Sequence, residues 1–298
     1  MSEKVETKSS DVALTPTFAS KGGQISQMGL LNKKNRVLLY ELVKTDFKLR
    51  YQGSFLGILW SVLKPLMLFA VMYTVFVRFL KFTDGTPQYP IVLLLGISLW
   101  SFFTEATSVG MNSIVGRGDI LRKINFPKYI IILSAMATSL ISLAINLVVV
   151  IIFALFSGIE FTSLALLTPL NILQFFLLAF GISLFLSALF VKYRDISHIW
   201  DVVIQILFYS MPIIYPLTLV ENIKVFGIEA QQLMLLNPVA QIIQDIRHNL
   251  ISPTTVPTTW STVDSWYLAV IPVVLTVIIL IIGAWYFAKN SKKFAEIM

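Results

Sequence analysis

The sequence predicts an all-α polytopic membrane protein, and three observations carry the prediction. Residues 130–156, 170–191 and 267–288 each run past twenty positions without one Asp, Glu, Lys or Arg. At about 1.5 Å per helical residue, each run can cross a hydrocarbon core of roughly 30 Å. Hydrophobic residues make up 56% of the 298-residue chain and charged residues only 13%, more apolar surface than one soluble core can hide. Finally, the positive charge falls almost entirely on alternate connectors.

The elements follow in order. Residues 1–35 are rich in Ser, Thr, Lys and Gly and lack apolar periodicity, which predicts a disordered tail with no signal-peptide core. From 36 to 51, Leu39, Leu42, Val43 and Phe47 share one helical side, and Lys44, Lys48 and Arg50 take the other. That pattern fits a helix lying along the membrane surface; it also fits an amphipathic helix packed on protein. A single transmembrane domain is then expected over 36–298. Its first span, 55–80, is interrupted by Lys64 and Pro65, and the polar turn 81–89 joins it as a hairpin to the second, 90–110. The basic connector 116–128 leads to span three at 129–157, and a brief turn leads on to span four at 169–191. Connector 192–198 precedes span five at 199–220, and span six occupies 267–288. Between the last two, Asn237-Pro238 opens a stretch with Val239, Ile242, Ile243, Ile246 and Leu250 at helical spacing. Gln241, Gln244, Asp245 and Arg247 face away from them, so this helix is expected at the outer interface.

With six spans both termini share a side. Nineteen of the 23 Lys and Arg residues fall on that side, against Arg78, Lys81, Lys224 and Arg247 on the other. The positive-inside rule therefore puts both termini in the cytoplasm. The same placement assigns the net charge of +7 to membrane orientation rather than to nucleic acid. Cysteine is absent, which excludes thiolate chemistry, and His198 and His248 are isolated, so no metal site is expected. No phosphate loop, zinc-protease helix, nucleophile elbow or dinucleotide glycine pattern occurs, so no catalytic residue is assigned.

Particular residues carry a resemblance. The stretch from Arg50-Tyr51-Gln52-Gly53-Ser54 through Gly57 and Trp60 to Pro65 is followed by Asn125-Phe126-Pro127, Tyr193-Arg194-Asp195-Ile196-Ser197-His198 and Leu236-Asn237-Pro238. In that order the set resembles ABC-2-type polysaccharide export permeases, from about residue 36 to the C-terminus. The resemblance implies a homodimer working with two copies of a separate ABC ATPase, which would hold ATP and magnesium, while this chain binds no cofactor. The implied cargo is a lipid-linked polysaccharide of the O-antigen, capsular or teichoic acid kind. The alternatives are an ABC-2 exporter of a smaller lipid or drug, a membrane-embedded glycan-processing enzyme, and an ATPase-independent transporter.

The candidate residues fall into several groups. Arg117, Ile120, Arg122, Lys123, Phe126 and Pro127 mix basic and apolar character in one connector, as ATPase docking requires and as a plain positive-inside loop also would. Arg50 and Tyr51 stand at headgroup level, where a lipid-carried phosphate must approach or where an orientation charge would sit. Lys64 and Glu105 lie equally far from the centre of the 81–89 turn, so they are expected to meet as an intramembrane ion pair; separate snorkelling is the alternative. Trp100, Phe103, Tyr209, Pro212, Tyr215 and Pro216 are gate or passage candidates, because rings stack on sugars and prolines break backbone pairing. The rings also suit ordinary packing. Tyr193, Arg194, Asp195 and His198 form a motif that either contacts the ATPase or merely orients and caps span five. Ala179, Ser183 and Ser187 mark a close helix contact.

Overall fold

The computed structural model describes residues 32–81, 88–123, 126–225, 227–263 and 265–294. The expected disordered tail up to residue 31, the centre of the 81–89 turn and Asn125 lie outside the described residues. For Tyr51, Arg122 and Lys123 only the backbone is described.

Helix α1 (Lys33–Tyr51) starts at Asn32, whose side chain accepts the Lys34 amide at 3.1 Å. It ends where Gly53 and Gly57 adopt φ of +75° and +51°, a region that strains any residue with a Cβ, and so the chain turns sharply into the first span. One face of α1 is packed on protein, with Asn35 and Leu42 buried.

The first span, Gly57–Phe79, contains α2 (Trp60–Met72) and widened π-type turns over Tyr73–Phe79. The expected interruption at Lys64 and Pro65 does not occur, because Pro65 sits inside α2. Proline has no N–H to offer the carbonyl four residues back, which is Ser61. Asn146, from a neighbouring helix, supplies the missing donor at 3.0 Å.

Helix α3 (Tyr89–Ser113) is the hub and is buried over most of its length. After the short α4 (Gly118–Lys123), α5 (Tyr129–Phe156) and α6 (Thr168–Lys192) pack on α3. Ala179, Ser183 and Ser187 are fully buried on α6, and Gly110 of α3 lies against Ser183.

The expected fifth span is shorter than predicted. Helix α7 (Ile196–Ser210) has 15 residues, and the backbone from Met211 to Pro216 is irregular. Among the described residues five helices are long and apolar enough to cross a membrane, and α7 is not one of them. Its start adjoins the end of α6, whereas the residues after it bond to the opposite end of α3: the Tyr89 hydroxyl donates to the Ile214 carbonyl at 2.9 Å. Beyond lie a two-stranded hairpin (β1, Lys224–Val225; β2, Ile228–Glu229), α8 (Ala230–Leu235), α9 (Pro238–Leu250), α10 (Thr259–Thr262) and the long α11 (Trp266–Ser291).

Helix α9 corrects a second expectation. Its polar side does not face away, since Gln241, Gln244, Asp245 and Arg247 are all buried with the apolar side. Their partners inside the bundle make this tolerable: Gln174 of α6 donates to Gln241 at 2.9 Å, and Asn249 donates to Asn171 at 3.0 Å. The Arg247 guanidinium donates to Pro212 O at 2.6 Å, Ile213 O at 2.8 Å and Val92 O at 3.1 Å. It thereby satisfies carbonyls freed where α7 breaks. Gly96 makes the room, for a Cβ there would land on the guanidinium.

At the other end of the bundle the two connectors, α1 and the C-terminal end of α11 come together. Lys128 bonds to the Ser291 carbonyl and stands 5.5 Å over the Phe294 ring. The described N-terminal helix and the C-terminal helix end thus share one side of the molecule.

Candidate functional site

A polar cavity of about 650 Å³ lies between α1, the first span, α3 and α5. Its walls carry Arg50, Lys64 and Glu105 together with the hydroxyls of Ser54, Ser61, Ser98, Ser101, Thr104, Ser108, Ser139 and Ser142 and the Asn146 amide. In a bundle this apolar, so many hydrogen-bonding groups facing one space suit a polar or charged guest rather than acyl chains.

The ionic contacts differ from the expected ones. Glu105 pairs with Arg50 at 2.6 Å, and Arg50 also donates to Thr138 at 3.4 Å. Lys64 lines the same cavity but forms no ion pair with Glu105. The depth argument expected the two to meet as a pair; they line one cavity, but α1 folds against α5 and Arg50 takes the place of Lys64 beside Glu105. A second cavity of about 420 Å³ adjoins, sharing Arg50, Ser108 and Val109 and reaching Asp46 and Arg117.

Arg117 turns inward. It pairs with Asp46 of α1 and donates to Ser134 of α5 at 3.0 Å, and burial pulls its guanidinium below its ordinary value. It is therefore engaged within the protein rather than presented outward. Phe126 and Pro127 are half-buried, with Phe126 packed against the core; Ile120 is half-buried and Asp119 exposed.

Trp100 and Phe103 are buried in ring contacts. Phe103 stacks on Phe175 at 5.6 Å and 3°, Trp100 lies 5.6 Å from Phe208, and Trp200 donates to Thr107 at 3.1 Å. These rings form the core between α3, α6 and α7. Pro212 and Pro216 are also buried, Tyr215 donates to the Tyr209 carbonyl at 3.3 Å, and Tyr209 is exposed.

In the second connector Tyr193, Arg194, Asp195 and His198 are all exposed. Arg194 stands 5.2 Å over the Phe190 ring and Lys192 4.8 Å over Tyr193. Asp195 occupies the cap position of α7 without a side-chain capping bond, and Ser197 bonds back to the Arg194 carbonyl at 3.1 Å.

Sequence reasoning missed Asp46, Asn146 and the serine stripe. Ser139, Ser142 and Asn146 recur at helical spacing within an otherwise apolar run, and that polar stripe was the available signal.

This multi-pass helical architecture and its connectors can be set beside known proteins. The profile of the ABC-2 type transporter family matches residues 37–251, from α1 to just past α9. The chain belongs to that family. This ABC-2 transporter chain is 29% identical over 211 residues to an O-antigen export system permease protein of Myxococcus xanthus, covering 70% of this chain and 77% of the relative. It is 25% identical over 263 residues to a protein of the same name from Klebsiella pneumoniae, covering 88% and 95%. A second Klebsiella pneumoniae permease of that name is 25% identical over 277 residues, covering 91% of this chain and all of the relative. As an ABC-2 family member the chain is a membrane transporter subunit, and α1 falls within the family match.

Proposed function

We propose that this chain is the membrane-spanning subunit of an ATP-driven exporter that moves a lipid-linked polysaccharide of the O-antigen kind across the bacterial cytoplasmic membrane. The observation that carries the reading is the hydroxyl-rich cavity holding Arg50, Lys64 and Glu105 within an apolar bundle. A polyprenyl carrier presents a phosphate or diphosphate at this depth; Arg and Lys match its charge, and the unpartnered Ser139 hydroxyl on the cavity wall offers a further donor. The names of the relatives support the polysaccharide part of the proposal.

The side bearing α1, both connectors and the end of α11 is the cytoplasmic one in this reading, in accord with its positive charge. A separate ABC ATPase, with its own ATP and magnesium, docks there against the 116–128 connector and the exposed Tyr193, Arg194, Asp195 and His198. The chain works as a homodimer with two such ATPases. Helix α7 supports the pairing: Ile199, Val202, Ile206 and Tyr209 form an exposed stripe flanked by exposed Asp201 and Gln205. Acyl chains are a poor environment for that carboxylate and amide, whereas a second copy enclosing a hydrated passage is a good one.

Depletion of the chain in its host should leave lipid-linked glycan on the cytoplasmic face, as read by loss of surface glycan and gain of the intracellular lipid-linked form. In the reconstituted permease–ATPase complex, Lys64→Ala should reduce lipid-stimulated ATP hydrolysis roughly tenfold, the equivalent of one lost charge-assisted contact. Unchanged surface glycan on depletion would turn the assignment towards a smaller lipid or drug.

A further inference from the structure

Asp46 and Arg50 stand four residues apart on α1, which places their side chains one helical turn apart on one face. Each is held by an ion pair, but to different parts of the molecule. Asp46 pairs with Arg117, which opens the 116–128 connector and is itself tied to Ser134 on α5. Arg50 pairs with Glu105 in the wall of the larger cavity. The smaller cavity lies between the pairs and is lined by Asp46, Arg50 and Arg117 together. Both members of the Asp46–Arg117 pair are only 16% exposed, against 27% and 28% for Arg50 and Glu105. The connector pair is thus the better shielded from water. The second oxygen of Asp46 is buried without a hydrogen-bond partner, so this carboxylate depends on Arg117 for its compensation.

We propose that Asp46 and Arg117 are positioning residues that couple the connector to Arg50 and so set the affinity of the headgroup cavity. The inference rests on the reading of that cavity as a phosphate-lipid site. A displacement of the connector is passed through the buried pair to α1, which behaves as a rigid rod over the single turn between Asp46 and Arg50. Arg50 then moves relative to Glu105. While the pair is closed, Glu105 occupies Arg50 and competes with any anionic guest; when α1 shifts, the guanidinium is released to the guest's phosphate. Lys64, on the first span and in no ion pair with Glu105, stays as the fixed cationic wall. Nucleotide binding on the ATPase and headgroup binding in the membrane then share one equilibrium, and each alters the other's affinity by the same factor.

The test uses the complete permease–ATPase complex in nanodiscs, with geranylgeranyl diphosphate as the lipid probe and inorganic pyrophosphate as the headgroup alone. Wild type should bind the lipid probe with affinities at least about fivefold apart in the nucleotide-free and ATP–vanadate-trapped states. Asp46→Asn should bind it equally in both states, and the exchange Asp46→Arg with Arg117→Asp should restore part of the difference. Arg50→Ala should instead weaken binding in both states, with no rescue by the exchange. The chain has no native cysteine, so spin labels at Lys44 on α1 and Asn112 on α3 report the helix shift directly. That distance should change on trapping in wild type and stay fixed in Asp46→Asn. An Asp46→Asn complex that keeps the nucleotide-dependent distance change overturns the coupling. Absence of lipid-probe binding in wild type overturns the headgroup reading instead, and the label distances then decide the coupling by themselves. Pyrophosphate binding as tight as the lipid would mark the site as one for the soluble anion and would remove the lipid from the proposal.

Discussion

Arg247→Ala is expected to abolish export and to collapse the yield of folded permease. The guanidinium reaches the carbonyls of Pro212, Ile213 and Val92 and also donates to Gln244 at 3.0 Å, all buried. A hydrogen bond to a charged group contributes about 1.5–3 kcal/mol, and an acceptor left buried without its donor adds a desolvation cost. Losing three such acceptors together exceeds the roughly 4 kcal/mol that marks the exceptional end of single substitutions. Helix α9 and the break after α7 would separate, since this side chain joins them. Arg247→Lys should recover only part of the yield, because an ammonium cannot span three acceptors with the reach of a planar fork. Gly96→Ala should reproduce a milder form of the defect by displacing the same guanidinium. Size-exclusion profiles in mild detergent together with surface-glycan export provide the check. A monodisperse, exporting Arg247→Ala protein would mean that α9 is held by its apolar face alone.

Gly181→Val should have the next largest effect. A Cβ on Gly181 would lie 2.7 Å from the Leu280 Cα, and one on Gly283 would fall on the Gly181 carbonyl. Helices α6 and α11 therefore touch backbone to backbone. In hydrocarbon there is no hydrophobic drive between helices, so close approach through small residues supplies the packing that holds such a pair. Overpacking a dense site costs typically about 1–3 kcal/mol, and here backbone atoms rather than flexible side-chain ends would have to give way. Gly181→Val and Gly283→Val should both lower the thermal inactivation midpoint of the purified protein. Ala70→Val, on an exposed face of the first span, adds comparable bulk and should leave it unchanged. Equal midpoints for all three would show that the two helices can slide apart without loss.

The long spans and the basic connectors were legible in the sequence because they rest on local signals, namely hydropathy over twenty residues and the sign of adjacent charge. The similar depth expected of Lys64 and Glu105 came from counting residues in a hairpin, and the two do line one cavity. The pairing of Glu105 was not legible, because the competitor Arg50 belongs to α1, whose docking on α5 is a long-range contact without a local signature. Helix α9 misled for a physical reason: its polar face looked like a solvated one, yet its amides and arginine meet partners on α3, α6 and the break after α7. Pro65 and Pro212 gave opposite outcomes from the same residue type. Asn146 repairs the backbone around the first, so the helix continues, while the chain around the second leaves helical geometry and relies on Arg247. The local difference is a second proline, Pro216, four residues after Pro212, for which Pro65 has no counterpart.

The brevity of α7 bears on the surrounding lipid. Fifteen helical residues reach about 22 Å, several ångström less than an average hydrocarbon layer, whereas the 28 residues of α5 exceed it. Only the edges of α7 left uncovered by the paired copy meet lipid, and there the short helix pinches the bilayer locally, at a cost of a fraction of a kcal/mol per ångström of mismatch. Acyl-chain length then becomes a control on turnover. Reconstitution in short-chain phospholipid should raise the transport rate over the same protein in long-chain phospholipid, and a rate indifferent to chain length would mean that α7 is screened from lipid on every side. A host that shortens its acyl chains would thereby speed the route across its own membrane without touching the transporter.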